Sequence, residues 1–233
     1  MGVKVYSIRM PYPSKTDRQA ILSAAVKQLA HVGIRDLSLR NLAASLDLAP
    51  NALYRYFSDR SALEAALAGE AARQMELALS RAAAGREPVS AIREMSSAYI
   101  KFAKDNRHLY DVMMGPHVPK DDAALHQSLW AFTVEQVKRI AGADRAAQAS
   151  VALWAFLHGA VALEAAEVFG ESKPASGLGF GLDAWFMAVS TGGRPIEALR
   201  TKPTKMTAGK AGKKVSARSP SAISRGGGSS RLK

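Results

Sequence analysis

An all-α protein is the fold class predicted by this sequence, on three observations. Its apolar residues are mostly Ala and Leu, good helix formers, and runs of Val, Ile and Thr are scarce. Those apolar residues recur at the three- and four-residue spacing of one helix face. Capping residues, glycines and prolines punctuate the chain at helix-length intervals. With 233 residues, 48% of them hydrophobic, and a mean hydropathy of −0.08, the chain is long enough for a sizeable core and reads as globular.

Residues 1–15 read as a flexible arm broken by Pro11 and Pro13. Thr16 or Asp17 caps a first helix to about Val32, with Ile21, Ala24, Ala25, Leu29 and Val32 on one face. Gly33 stands where a left-handed residue ends it. Ser38 is the N-cap of a second helix reaching about Leu46. A third starts at Pro50, suited to a first helical turn, and runs to about Phe57. A long fourth runs from Asp59 through Leu63, Ala66 and Leu67 to about Ala84, before Gly85 and Pro88. Further helices are predicted over 89–105, 107–114, 121–141, 144–169 and 182–192, with the glycine-rich stretch 170–181 as a linker. The segment 201–233, rich in Lys, Ser, Ala, Gly and Pro, is too polar to bury a core and reads as a disordered basic tail.

The net charge of +12 is unevenly divided. Residues 1–60 carry nine cations and four carboxylates, 61–200 carry 14 and 16, and 201–233 carry nine and none. Charge gathered at both ends of a neutral middle points to a polyanion partner, most simply nucleic acid. There are no cysteines, so disulfides and thiolate metal sites are excluded. Residues 1–14 lack the apolar core of a signal peptide. The longest near-apolar stretch, Val151–Leu163, contains His158 and is shorter than a membrane span. A cytoplasmic protein without a membrane partner is expected.

The most informative segment is Ser38–Phe57. Leu39, Leu42, Ala43 and Leu46 give one short helix an inner face, and Leu48, Leu53 and Phe57 supply partners across a turn at Asp47. Helices this short are unstable alone and make sense as a packed helix-turn-helix. Asn51, Ala52, Arg55 and Tyr56 then point outward near the start of the second helix, where side chains enter a major groove.

Residues 16–70 closely resemble the DNA-binding domain of the TetR family. The resemblance rests on Ile21–Ala25 with Gly33, Ser38-Leu-Arg-Asn-Leu-Ala43, Leu53-Tyr-Arg-Tyr-Phe57 and Arg60-Ser-Ala-Leu63. It implies that Tyr54, Tyr56 and Arg60 grip phosphates, with the N-terminus of the fourth helix adding dipole attraction. It also implies that Arg40, with Ser38 at the head of its helix, reaches the backbone or a base, and that Asn51, Ala52 and Arg55 face base edges. Arg pairs bidentately with guanine and Asn with adenine, so the chemistry agrees. The sequence departs from the family pattern at Asp47, in place of the turn glycine, and at Ala49, in place of a Ser or Thr cap.

Residues 71–200 are expected to form a helical effector-binding and dimerisation domain. Trp154-Ala-Phe-Leu-His158-Gly159 and Phe102–Tyr110 resemble one class of TetR C-terminal domain, named for its Trp–His–Gly signature. The expected ligand site gathers Tyr99, Phe102, Met113, Met114, Trp130, Trp154 and His158, a mixture suited to a partly apolar effector. The stripe Leu182, Trp185, Phe186 and Val189 is assigned to a dimer interface. No catalytic constellation, cofactor motif or metal-ligand spacing is present: the histidines at 31, 108, 117, 126 and 158 form no i, i+4 pair. The expected function is a homodimeric regulator, a repressor released from near-palindromic double-stranded operator DNA by a small molecule. The alternative is a largely non-specific structural DNA-binding protein driven by the tail.

Overall fold

The computed structural model describes residues 16–115, 124–168, 170 and 175–191. The expected arm 1–15, the expected tail 201–233 and the segment around Asp121 and Asp122 lie outside them. Nine helices and no strand occur among the described residues. They are α1 (Arg18–Asp36), α2 (Leu39–Ser45), α3 (Pro50–Leu53), α4 (Arg60–Ala83), α5 (Pro88–Asp105), α6 (Arg107–Met114), α7 (Ala124–Ala141), α8 (Ala143–Ala165) and α9 (Ala175–Ser190).

The caps explain where the first four begin. The Asp17 side chain accepts from Ala20 N at 2.7 Å, Ser38 Oγ from Asn41 N at 3.3 Å, and Asp59 from Ala62 N at 2.8 Å. Ala49 offers no side-chain cap to α3, which relies on Pro50. Gly33 has the expected positive φ of 72°, but its ψ of 174° makes a kink after which helical turns resume to Asp36.

α4 holds the molecule together. It packs against α1 at one end and against α5, α6 and α7 along the rest of its length. Ala65, Ala66, Leu67, Ala68, Gly69, Glu70, Ala71 and Ala72 are all buried, so about two turns are enclosed on every face. Alanine and glycine permit the close approach. The expected boundary between residues 70 and 71 falls inside this enclosed stretch, and one core continues across it from Ile21 to Val189. Glu70 is the one charge in the stretch. Its carboxylate accepts from Arg73 Nε at 2.8 Å, Arg73 Nη2 at 2.7 Å and Gln74 Nε2 at 2.8 Å. The Arg73 hydrogen bonds hold its pKa below the ordinary carboxylate value despite burial. This pairing stabilises the fold above the unfolded carboxylate range and is lost as pH falls through the lowered value.

Four expectations are corrected. The recognition helix stops at Leu53 rather than near Phe57. α8 ends at Ala165 rather than 169, where Glu167 turns left-handed at φ 52°. α9 starts at Ala175, so Gly177, Gly179 and Gly181 are helical and not a linker. A Cβ at Gly181 would collide with the Phe156 ring, so glycine here serves close packing.

The stripe Leu182, Trp185, Phe186 and Val189 is the fourth correction: it is buried within the chain and is no free dimer face. Trp185 Nε1 donates to Ala149 O at 3.0 Å, and the Arg93 guanidinium sits 4.7 Å over the Phe186 ring while pairing with Asp183 at 2.6 Å. Arg145 caps the end of α9 by donating to Ala188 O and Val189 O. The apolar surface left over lies on the opposite faces: Val151 and Leu163 on α8, Phe180 and Met187 on α9. α8 is also long and apolar enough to cross a membrane by length and composition, longer than the stretch read from sequence. Its Ala146, Ala149, Ser150, Leu153 and Leu157 are instead buried in the helical core.

Gly33→Ala is expected to cost about 1–3 kcal/mol of stability, because its φ/ψ region is essentially restricted to glycine. The added Cβ would also press on His108 Nδ1 at 3.2 Å. Urea unfolding checks this, with Gly85→Ala, at φ 69° in open space, separating the backbone cost from the His108 contact.

Candidate nucleic-acid interface and ligand cavity

The helix-turn-helix is built from α2, a tight turn and α3. Asp47 takes φ 54° in the turn, the left-handed geometry that Asp tolerates better than most residues. Leu48 N bonds back to Ala43 O at 2.9 Å, which closes the corner. Leu42, Ala43 and Leu53 are buried, and so is Phe57 beneath the Arg18 guanidinium at 4.7 Å. Beyond Leu53 the backbone tightens into a turn in which Tyr56 N and Phe57 N both donate to Leu53 O. The reason is tertiary: Tyr56 Oη donates to Thr16 O at 2.9 Å and Phe57 enters the core, so the chain leaves the helical path.

The candidate DNA contacts divide into two groups. Arg40, Asn51, Tyr54 and Arg55 are exposed, and Ala52 is half-buried beside them. The other group is engaged within the fold. Tyr56 is half-buried with its hydroxyl spent on Thr16, and Ser38 Oγ serves as a cap while its O–H remains available.

Arg60 holds the α1–α2 corner. Its Nη2 donates to Ile34 O at 2.5 Å, its Nη1 to Leu37 O at 3.1 Å and its Nε to Glu64 at 2.7 Å. A guanidinium has five N–H groups, so two remain. The N-terminus of α4 is already neutralised by Asp59, whose carboxyl is held below its ordinary pKa by the Ser61 hydroxyl and the Ala62 amide. The dipole expected to attract a phosphate there has a resident anion.

The second site lies between α5, α7 and α8. An apolar cavity of ≈ 30 Å³ is lined by Met95, Ser96 and Tyr99 of α5, Leu129 and Thr133 of α7, and Leu153, Trp154 and Leu157 of α8, with Leu79 of α4. Ser96 Oγ donates to Ile92 O and Thr133 Oγ1 to Leu129 O, so both hydroxyls are satisfied by their own helices. Tyr99 and Trp154 line this cavity, and Trp130 lies against Trp154 with ring centroids 5.9 Å apart. His158 sits beyond, at the end of a chain in which Tyr99 Oη lies 2.8 Å from Tyr110 Oη and Tyr110 Oη lies 2.7 Å from His158 Nδ1. Burial raises the phenol pKa of both tyrosines.

Phe102 and Met113 are buried core residues, and Met114 packs against the core, without lining this cavity. Sequence reasoning missed Leu79, Met95, Leu129, Leu153 and Leu157, which look like ordinary core positions. It passed over Tyr110 as the end of a motif.

Two family models match the chain in sequence. Residues 21–67 match the tetR family of bacterial regulatory proteins, and residues 92–178 match a tetracyclin repressor-like C-terminal domain. The chain belongs to the TetR family of transcriptional regulators. Its helix-turn-helix is accordingly a DNA-binding element. Among solved structures, a protein of unknown function from Rhodococcus sp. RHA1 is similar at 24% identity and a TM-score of 0.66, over 78% of this chain and 100% of that one. A TetR regulator from Streptomyces coelicolor is similar at 19% identity and a TM-score of 0.59, over 77% and 100%. A TetR variant from Acinetobacter baumannii AYE, in complex with minocycline, matches at 19% and 0.56, over 76% and 97%. These likenesses carry the fold. No curated protein matches the sequence.

Arg60→Met is expected to release the Ile34 and Leu37 carbonyls and lower stability by about 1–2 kcal/mol, the range for charged hydrogen bonds at a partly exposed site. It should weaken binding to operator and scrambled duplexes alike. Thermal melts and fluorescence anisotropy check both, and an unchanged melt would remove the corner role.

Proposed function

We propose that the regulator is a cytoplasmic homodimer that binds a near-palindromic operator as a repressor and is released by a small, partly apolar effector. The observation that carries the DNA reading is the division of labour on α3 and its turn. Leu53 and Phe57 are buried while Asn51, Tyr54 and Arg55, on the same short segment, are exposed. Asn51, Ala52 and Arg55 face base edges; Tyr54, Ser38, Arg40 and the spare N–H groups of Arg60 take phosphates. Tyr56 acts from behind, through Thr16. Dimerisation places two such segments in successive major grooves, about 34–36 Å apart.

The dimer is formed by the outer faces of α8 and α9. Val151, Ala155 and Leu163 on α8 with Phe180 and Met187 on α9 leave large apolar area exposed, with Phe180 at 79% and Met187 at 67%. That face replaces the α9 stripe expected from sequence. The effector site is the apolar cavity beside Trp154. At ≈ 30 Å³ it has room for about two waters, so a ligand must repack Met95 and its neighbours on entry. This supplies the differential contact that a ligand-driven change requires.

Selecting bound oligonucleotides from a random pool tests the reading: a discrete two-fold symmetric site supports it, and diffuse enrichment favours tail-driven, non-specific binding. Arg55→Ala is expected to weaken specific binding by about 1–3 kcal/mol and to relax preference at one position per half-site. Unchanged selection stringency would exclude Arg55 as a base reader.

Met187→Glu is expected to give a monomer by sedimentation and to lose affinity for the full operator while keeping that for an isolated half-site. A dimer of unchanged stability would move the interface elsewhere.

A further inference from the structure

Two hollows lie along α5 and α8. Tyr99, Tyr110 and His158 form the partition between them through their hydrogen-bonded chain. One turn to the inside, Ser96 and Trp154 face the apolar cavity, which Leu157 also lines. To the outside, Ala103 and Val161, one turn on, and Lys104 and Glu164 beyond them line a cleft of ≈ 210 Å³, together with Tyr110, Arg107 and Asp111 of α6. Tyr99 thus borders the cavity and Tyr110 the cleft, with their hydroxyls 2.8 Å apart.

We infer that the partition opens for a single molecule spanning both compartments, and that this molecule is a monocarboxylic acid with an apolar body. The inference rests on the reading of the apolar cavity as the effector site and names the chemistry of its ligand. The inner compartment suits apolar matter, because its walls are apolar and the O–H donors of its two hydroxyls are already spent on their own helices. The partition supplies a donor. Both phenols stay protonated through burial, and whichever hydroxyl donates across the 2.8 Å contact requires a new acceptor once the two part. A carboxylate oxygen accepts it, and the second oxygen stays free for the cleft.

The cleft supplies the charge. Lys104 is paired with Glu164 at 2.6 Å, whereas the Arg107 guanidinium has no side-chain or backbone acceptor among the described residues. Its planar fork matches a carboxylate. Asp111 and Glu164 keep the cleft from being net cationic, so a second negative charge on the ligand is repelled. An alcohol would leave Arg107 unmatched, and an ammonium would face it directly.

The test uses the full-length protein and tryptophan fluorescence, since Trp154 lines the cavity and Trp130 adjoins it. Octanoate, 1-octanol and octylammonium are titrated below their aggregation concentrations at pH 7.5. Octanoate is expected to saturate at a concentration at least ten-fold below the other two. Arg107→Gln should erase that advantage while leaving octanol affinity in place, and Tyr110→Phe should weaken octanoate several-fold. Leu157→Trp, which fills the inner compartment, should abolish saturable binding of octanoate and octanol, with circular dichroism confirming each fold.

Equal affinities for the three probes, a preference for octylammonium, or undiminished octanoate binding by Arg107→Gln or Leu157→Trp would overturn the inference. Operator release is followed separately by anisotropy. Octanoate that binds as expected without releasing DNA supports the ligand class and sinks the ligand-released repressor. DNA released by a non-acidic compound, with octanoate inert, overturns the ligand class and leaves the repressor intact.

Discussion

The two fully enclosed turns of α4 are the constraint on which the rest depends. A helix buried on every face must satisfy all of its neighbours at once, and interiors packed at crystal-like density do not deform gradually. α4 touches α1 in the DNA-binding half and α5, α6 and α7 in the other. The cavity-lining helices and the helix-turn-helix are therefore joined through one packed helix. Leu79 of α4 lines the cavity itself, and Arg60 at the other end of the same helix holds the carbonyls of the α1–α2 corner. One rigid element thus carries a residue at each site.

α6 provides a second connection between the same sites. Tyr110 belongs to the partition between the two hollows, and His108, two residues earlier, packs against Gly33. The corner of residues 33–37 is held by His108 of α6 on one side and by Arg60 of α4 on the other. The glycine is required twice over, for its backbone conformation and for the nearness of the histidine ring. Ser96, Thr133 and Glu70 bond to near neighbours along their own helices, whereas Trp185, Arg93, Lys104 and Arg145 bond from one helix to another. The Tyr99–Tyr110–His158 chain joins three different helices.

The interface reading shows how local signals succeed and fail. Ser38, Asp47 and Asp59 were legible because a cap or a turn is decided within four residues. The end of α3 was not, because it is set by Thr16 and by the core pocket of Phe57, far away in sequence. The α9 stripe is legible as apolar, but its partner within the chain is not. Periodicity says that a face is covered, and it is silent on whether the cover is another helix or another chain. The glycines at 177, 179 and 181 read as a linker for the same reason: nothing local announces the Phe156 ring that requires one of them.

The sequence by itself determined the all-α class, most helix starts, the TetR family and the exposed residues of the recognition segment, since each follows from periodicity, caps and contiguous motifs. Tertiary structure alone decided that Arg60 and Tyr56 serve the fold, that the α9 stripe is internal, and that Tyr99, Tyr110 and His158 meet. Those outcomes depend on residues between 11 and 48 positions apart being brought within hydrogen-bonding distance. Packing makes such encounters, and no local pattern encodes them.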